Sequence, residues 1–360
     1  MKEGKKAMQR ELTATSPLLD KDGNLVQVGW ARQALLDCNL ENARFYRLAR
    51  PLQAFRLKRW DYYGVTTPDF FFSATLAHLG YAGTVFVYTL DFASGELHEE
   101  TLLVPLGRGI YLPRNSDQRP GLEGREGDST FDNGRVRIAF RLEGAKRRVQ
   151  VDWPAFDGGQ GLSADVGLHL RPEHESMAIV IPIPDRRFYY NRKINCLPAD
   201  GWVRRGDQRT TLTPQDSLGN MDWGRGVWEY RSFWVWASAS TFLPGGRTLG
   251  LNLGFGFGET SAATENALIL DGRIHKLGEV RFDYDPADFM HPWRMTAPDD
   301  RLDLEFIPFK ERVARSHVLL IQSEVHQMFG HYQGQVISDE GETIPLQGVI
   351  GFAEEHHAQW

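Results

Sequence analysis

Apolar and polar side chains along this chain alternate with a period of two far more often than with the 3.6-residue period of an amphipathic helix. Arg135-Val136-Arg137-Ile138-Ala139-Phe140-Arg141-Leu142 sets charge against apolar bulk in turn, the pattern of an antiparallel strand with one buried face. Thr84 to Phe92 is dense in β-branched and aromatic residues, as strands are. The same reading predicts strands at 148–153, 165–170, 176–183, 228–240, 248–257, 265–270, 273–283, 301–307, 315–329, 332–338 and 346–353. Turn signals separate them at Asp22-Gly23, Asn133-Gly134, Gly245-Gly246, Asp271-Gly272 and Glu340-Gly341. Only 28–40 and the N-terminal tail carry a brief helical pattern. So many strands joined by tight turns predict an all-β chain of antiparallel sandwiches or barrels. A single barrel of 360 residues would be unusually large, so two β domains are expected. The changeover is placed near 198–216, where Pro198, Gly201, Gly206 and Pro214 interrupt a polar run. This gives a flexible tail at 1–14, one domain at 15–205 and a second at 206–360.

Four of the 10 tryptophans fall between Trp223 and Trp236. If one strand runs from Trp228, then Trp228, Tyr230, Trp234 and Trp236 share a face, as the wall of a pocket for a flat apolar ligand requires. Just before them, Asp222-Trp223-Gly224-Arg225-Gly226 sets a carboxylate and a guanidinium three residues apart among glycines. Beside so many indoles Asp222 can be desolvated, which raises a carboxyl's pKa and suits it to general acid catalysis. Arg225 pulls the other way by favouring the charged form. The alternative is an Asp–Arg bridge that pins a glycine-rich turn.

Leu249 to Gly258 places Leu249, Leu251, Leu253, Phe255 and Phe257 on one face and Gly250, Asn252, Gly254, Gly256 and Gly258 on the other. A face of glycine marks close approach of another group, either neighbouring aromatics or a ligand with Asn252 as its polar handle. Asp271-Gly272 predicts a type I′ hairpin in which Leu268 opposes His275 and Asn266 opposes Leu277. Asn266 and His275 then project from one face, as a polar pair in a pocket or as a surface pair. His326 and His331 have opposite parity, whereas Glu324 and His326 share a face. Glu354-Glu355-His356-His357 offers ligand chemistry without the spacing of a metal motif, and no metal is expected.

A formal charge of −6 with no basic footprint argues against a nucleic-acid partner. Cys38 and Cys196 are too few for a disulfide scaffold. Lys2, Lys5 and Lys6 are followed by no apolar core of a secretory signal, and no apolar run approaches the ~20 residues that span a bilayer. A soluble, cytoplasmic protein is the expectation. There is no Gly-x-Ser-x-Gly elbow, Walker loop or dinucleotide fingerprint, so neither serine chemistry nor an organic cofactor is expected.

Several motifs together resemble a known family. They are Pro17-Leu18-Leu19 with Asp22-Gly23 and Gly29-Trp30; Lys58-Arg59-Trp60-Asp61-Tyr62-Tyr63; Asp222 to Trp228; Glu265-Asn266-Ala267 with Gly272 and His275-Lys276-Leu277; and Gly351-Phe352-Ala353-Glu354. Their order and spacing resemble the bacterial family called domain of unknown function 2804, from about Thr15 to Trp360. The chain is more distantly similar to the carotenoid hydratases and related two-domain lipocalin-like proteins. That resemblance implies two adjoining antiparallel β-barrels of calycin type with few short helices. In those hydratases a Tyr-x-Asp-His pattern supplies a proton-donating aspartate. Here the block is Asn220-Met221-Asp222-Trp223, which keeps the aspartate and departs at the tyrosine and histidine. The resemblance therefore implies a pocket for a hydrophobic small molecule and a cofactor-independent hydratase, isomerase or cyclase with Asp222 as general acid and Arg225 tuning it. Trp228, Trp234 and Trp236 would form the apolar wall, with Asn266 and His275 as secondary contacts. The alternative is a non-catalytic carrier or sensor of a lipid-like or terpenoid ligand.

Overall fold

The computed structural model describes residues 9–360 apart from Arg47, Ala49, 118–127, Leu319, Leu320 and Trp360. Its backbone is organised by two large sheets, antiparallel throughout. Strands β1 (Lys58–Thr66), β2 (Phe70–His78), β3 (Ala82–Asp91), β4 (Leu97–Pro105), β5 (Arg187–Arg205) and β6 (Leu218–Val227) belong to a 14-stranded sheet in the order β4-β3-β2-β1-β6-β5. The order continues through Leu162–His169, Lys146–Trp153, Arg137–Glu143, Ser129–Asp132 and Ile110–Tyr111. Strands β7 (Arg231–Phe242), β8 (Thr248–Phe255), β9 (Leu302–Val318), β10 (Ile321–Ile337) and β11 (Thr343–Gln359) form the heart of a 9-stranded sheet, in the order β8-β7-β11-β10-β9.

Each sheet curls into a lipocalin-like half-barrel around its own core. The first encloses Tyr63, Phe72, Phe131, Phe140, Trp153 and Trp223; the second encloses Val235, Leu251, Trp293, Phe306, Met328 and Tyr332. The reason is the period-two pattern. In β6, Met221, Trp223 and Val227 point into the first core, so Asp222, Gly224 and Gly226 point out of it. In β7, Val235, Ala237 and Ala239 point into the second core, which turns Trp234 and Trp236 outward. The outward faces meet, and two further apolar clusters form at the seam. One joins Trp30, Ile179, Tyr189 and Trp228 to Ile269 and Ile274. The other joins Tyr62, Phe71 and Tyr88 to Trp236, Phe329 and Phe352.

A β-bulge fastens the seam. The register of β5 against β6 shifts between Ile194 and Leu197, and Cys196 sits at φ 59°. This turns Asn195 toward the second sheet, where its Nδ2 donates to Ser238 Oγ (2.9 Å), Ala239 O (3.2 Å) and Leu251 O (3.2 Å). Gly250 of the glycine strand admits the bulge: a methyl group there would lie 2.6 Å from Asn195 Cβ. Gly250 thus accommodates Asn195 and Cys196 of the other sheet, while Phe255 is exposed.

Several expectations are corrected. No helix covers 28–40. Gly29–Ala31 pairs with Met177–Ile183, Leu36–Asp37 pairs with Ser16–Pro17, and only a 3-10 turn, Leu40–Asn42, follows. Pairing and burial of Trp30 override the short helical pattern. The N-terminal segment is not free from residue 9 onward, since Arg10 N donates to Ala262 O and Leu12 N to Trp30 O; residues 1–8, with Lys2, Lys5 and Lys6, lie outside the described residues. The sheets change over at 228–230, between β6 and β7, not at 205/206, which falls inside a hairpin of the first sheet. The Asp-Trp-Gly-Arg-Gly block is no turn: it is the buried middle of β6. The Asp271-Gly272 hairpin has the expected positive φ values (52° and 78°) and the expected Leu268–His275 register.

The tight seam generates a prediction. Gly250→Ala forces the bulge and β8 apart and should lower stability by about 1–3 kcal/mol in a denaturant titration. An unchanged midpoint would show that Asn195 and Gly250 are not in contact in solution.

Candidate functional site

Between the outward faces lies a cavity of about 530 Å³, within the range of small-molecule sites. One ladder row of each sheet builds it. On the first sheet Lys193, Asp222, Tyr62, Thr75 and Phe86 stand directly opposite one another across β5, β6, β1, β2 and β3. On the second, Trp236, Glu354, Gln327 and Arg312 do so across β7, β11, β10 and β9. Trp60, Tyr189, Trp228, Trp234 and Phe257 close one end with stacked and edge-on rings. Gly224 matters here, because a methyl group on it would lie 2.0 Å from Trp60 Cζ2. Only glycine lets that indole lie flat across β6.

Inside these aromatic walls sits a cluster of charge. The Lys193 ammonium is 3.3 Å from Asp222 Oδ2 and 3.3 Å from Glu265 Oε2, and it rests 3.7 Å from the centre of the Trp236 ring. Burial works against its charge, but Asp222 and then Glu265 outweigh it and hold the ammonium's pKa above the usual lysine value. Asn191 Nδ2 donates to Asp222 Oδ1 at 2.5 Å. Across the cavity Gln327 links the sheets: its Oε1 accepts from Tyr88 Oη (3.0 Å), and its Nε2 donates to Glu354 Oε2 (3.1 Å). Arg312 is committed to Glu99 through two hydrogen bonds of 2.9 and 2.6 Å. Burial pushes the Glu354 carboxyl up to about 7, against the pull of Arg312 and Lys193. Burial also holds His356 down to about 3, so it is neutral.

The residues singled out from sequence are dispersed. Asp222, Trp228, Trp234 and Trp236 line the cavity. They come from β6, from the crossing at 228–230 and from β7 rather than from one strand; Tyr230 lies on the same crossing as Trp228, exposed, and accepts from Gln359 Nε2. Arg225 does not meet Asp222. Residues an odd number apart on a strand face opposite ways, and Arg225 points into the first core, 2.8 Å from Asp61 Oδ1 and 4.1 Å from the Trp223 ring centre. Asn252 stands behind the wall, accepting from Trp236 Nε1 (2.8 Å) and donating to Glu265 O (2.7 Å). It orients one wall residue and one acid. Asn266 and His275 bond elsewhere, Asn266 to Gly254 N and Gly278 O, His275 to Asp339 N.

Lys193 and Arg312 carried no local signal, Glu265 stood out only for its place in a motif, and Glu354 only for its ligand chemistry and its place in a motif. His326 bridges Glu311 and Glu324 (2.6 and 2.9 Å) outside this cavity. Among the described residues, no three His, Cys, Asp or Glu side chains converge as metal ligands. Cys38 and Cys196 are buried, which pushes each thiol up to about 12 and leaves no thiolate at neutral pH. No helix of the described residues is long and apolar enough to cross a membrane.

The chain belongs to the family described as domain of unknown function (DUF2804), whose pattern matches residues 9–360. No protein with a curated description matches it in sequence. Among solved structures it is similar to CghA, with a TM-score of 0.54 and 12% identity over 84% of this chain and 88% of that one. CghA with Sch210972 gives 0.53 and 10% over the same shares. A putative AttH from Nitrosomonas europaea gives 0.50 and 15%, over 86% of this chain and 96% of its own. At such identities the likeness is one of fold, and it agrees with the two adjoining lipocalin-like sheets.

Glu354 makes stability depend on pH. Its pKa is near 4.5 when unfolded and about 7 when folded, so the folded state holds the extra proton between these values. Stability from this group is therefore complete below about pH 4.5 and is lost as pH rises to about 7, by an amount on the order of 3 kcal/mol. Glu354→Gln keeps the neutral form throughout. By calorimetry, the variant should gain on wild type between pH 5 and pH 8.5; a constant difference would contradict the assignment.

Proposed function

We propose that this family member binds an apolar small molecule at the seam and performs acid–base chemistry on it, as a hydratase, isomerase or cyclase that needs no organic cofactor. The observation that carries the reading is the charge cluster. A carrier of apolar ligands needs the rings alone, whereas here Asp222, Glu265, Glu354 and the Lys193 ammonium stand among them, with Arg312 and Glu99 as a further pair in the lining.

Glu354 and Asp222 approach the cavity from opposite sheets with different partners. With its pKa near 7, Glu354 holds a proton in a good fraction of molecules at neutral pH and is poised to donate it, the condition general acid catalysis favours. Sequence alone gave this role to Asp222. Asp222 is already engaged by Lys193 and Asn191, which suits it to act as the base. On a substrate with a carbon–carbon double bond, the Glu354 proton goes to one carbon and positive charge develops on the other. The faces of Trp228, Trp234 and Trp236 stabilise that charge. Water then adds and gives its proton to Asp222, which is hydration; loss of a neighbouring C–H proton to Asp222 is isomerisation; attack by a second double bond forms a ring and a new cation, which loses a C–H proton to Asp222, and this is cyclisation.

All three outcomes place a solvent-exchangeable proton on carbon. Incubating the protein in D2O with an apolar metabolite extract should add deuterium to a defined compound, read by mass spectrometry. Asp222→Asn and Glu354→Gln should each lower this labelling by about 100-fold or more. A compound retained by the wild-type protein without labelling would establish a carrier instead.

A further inference from the structure

Resting on the reading of the seam as a small-molecule site, the wall charges specify its ligand further. Along the buried wall the acids are Asp222, Glu265 and Glu354, and one ammonium, Lys193, already faces two of them. Arg312, the other buried cation of the described lining, is held by Glu99 through the Nε and Nη2 edge of its guanidinium, and its Nη1 donates to Gln327 Oε1 (3.4 Å). Arg315, at the mouth, is paired with Glu324 (2.9 Å). Among the described residues that line it, the interior is therefore negative whether or not Glu354 holds its proton, and each cation already has a carboxylate partner. In a low-dielectric site an unmatched charge of the same sign is strongly disfavoured, and one of opposite sign is favoured. Aromatic faces add to this asymmetry, because their negative quadrupoles attract cations. Lys193 over Trp236 already shows such a contact.

We propose that the seam selects apolar molecules bearing a protonated amine and excludes those bearing a carboxylate, so that fatty acids and acidic terpenoids are not its ligands. The amine seats near Glu265, with the hydrocarbon body against Trp60, Trp228, Trp234 and Phe257.

Dodecylamine, dodecanol and dodecanoate share one chain and differ in charge. Titrated below their micellar concentrations against the intrinsic fluorescence of the full-length protein, they should bind in the order amine, alcohol, acid, with the amine at least about 10-fold tighter than the acid. A double variant, Glu265→Gln with Glu354→Gln, should lose most of the amine's advantage while still binding dodecanol, which also shows that it folds. Dodecanol binding with dodecanoate equal to or tighter than dodecylamine would overturn the charge inference and leave the small-molecule reading standing. An amine preference that survives in the double variant would place it at the acidic outer surface and overturn the inference as well. Binding of none of the three would remove both.

Discussion

The Lys193 ammonium is the point on which both halves of this molecule depend. It stands on the first sheet, faces Asp222 beside it, and reaches across to Glu265 and the Trp236 ring of the second. Three groups from the two sides of the seam thus share one buried cation. Desolvating such a cluster costs roughly what its internal attraction returns, and well-packed apolar residues often serve stability as well. Removing one member, by contrast, strands the rest as unpaired charges and is strongly destabilising. The cluster is therefore poorly explained as a source of stability. It is better explained as fixed charge held ready inside an apolar cavity, where it acts on a ligand with little screening.

That charge stays in place because strand registers leave no freedom to move it. Both cavity rows are ladder rows, so each side chain is fixed by its neighbour across the strand. A slip of one residue in β6 would bury Asp222 among Met221 and Trp223's present partners and turn Trp223 into the cavity. The bulge at Asn195 and Cys196 works in the opposite sense. By adding residues to β5 alone it aims Asn195 at β7 and β8 and locks the second sheet against the first.

Much of this architecture was legible in sequence, and the rest failed for identifiable reasons. Alternation found strands such as Arg137–Glu143, and the Asp271-Gly272 dipeptide fixed a hairpin to the residue, because both are local signals. β6 was missed because its glycines look like a turn. They serve close contact instead, with Trp60 over Gly224 and the Phe188 carbonyl beside Gly226. The supposed single tryptophan strand is a crossing that carries Trp228 and Tyr230, followed by β7 with Trp234 and Trp236, because nothing local in Trp228-Glu229-Tyr230 announces a change of sheet. The pairing of Asp222 with Lys193 rather than Arg225 follows from parity and cross-strand register together. Parity was readable in advance, but the register depended on knowing that β5 lies beside β6.

The seam position of the cavity has a further consequence. Lipocalin-like barrels commonly hold ligands inside the barrel, but here both interiors are filled, by Phe131, Phe140, Trp153 and Trp223 in one and by Trp293, Phe306 and Tyr332 in the other. Ligand space has moved to the outward faces, where the two sheets meet. A molecule bound there touches both sheets at once, so its binding energy also holds the sheets together, and anything that loosens the seam weakens the site. Close packing of the two cores makes each half-barrel a stiff unit. A ligand at the seam therefore acts between two stiff units that the Asn195 bulge already fastens together.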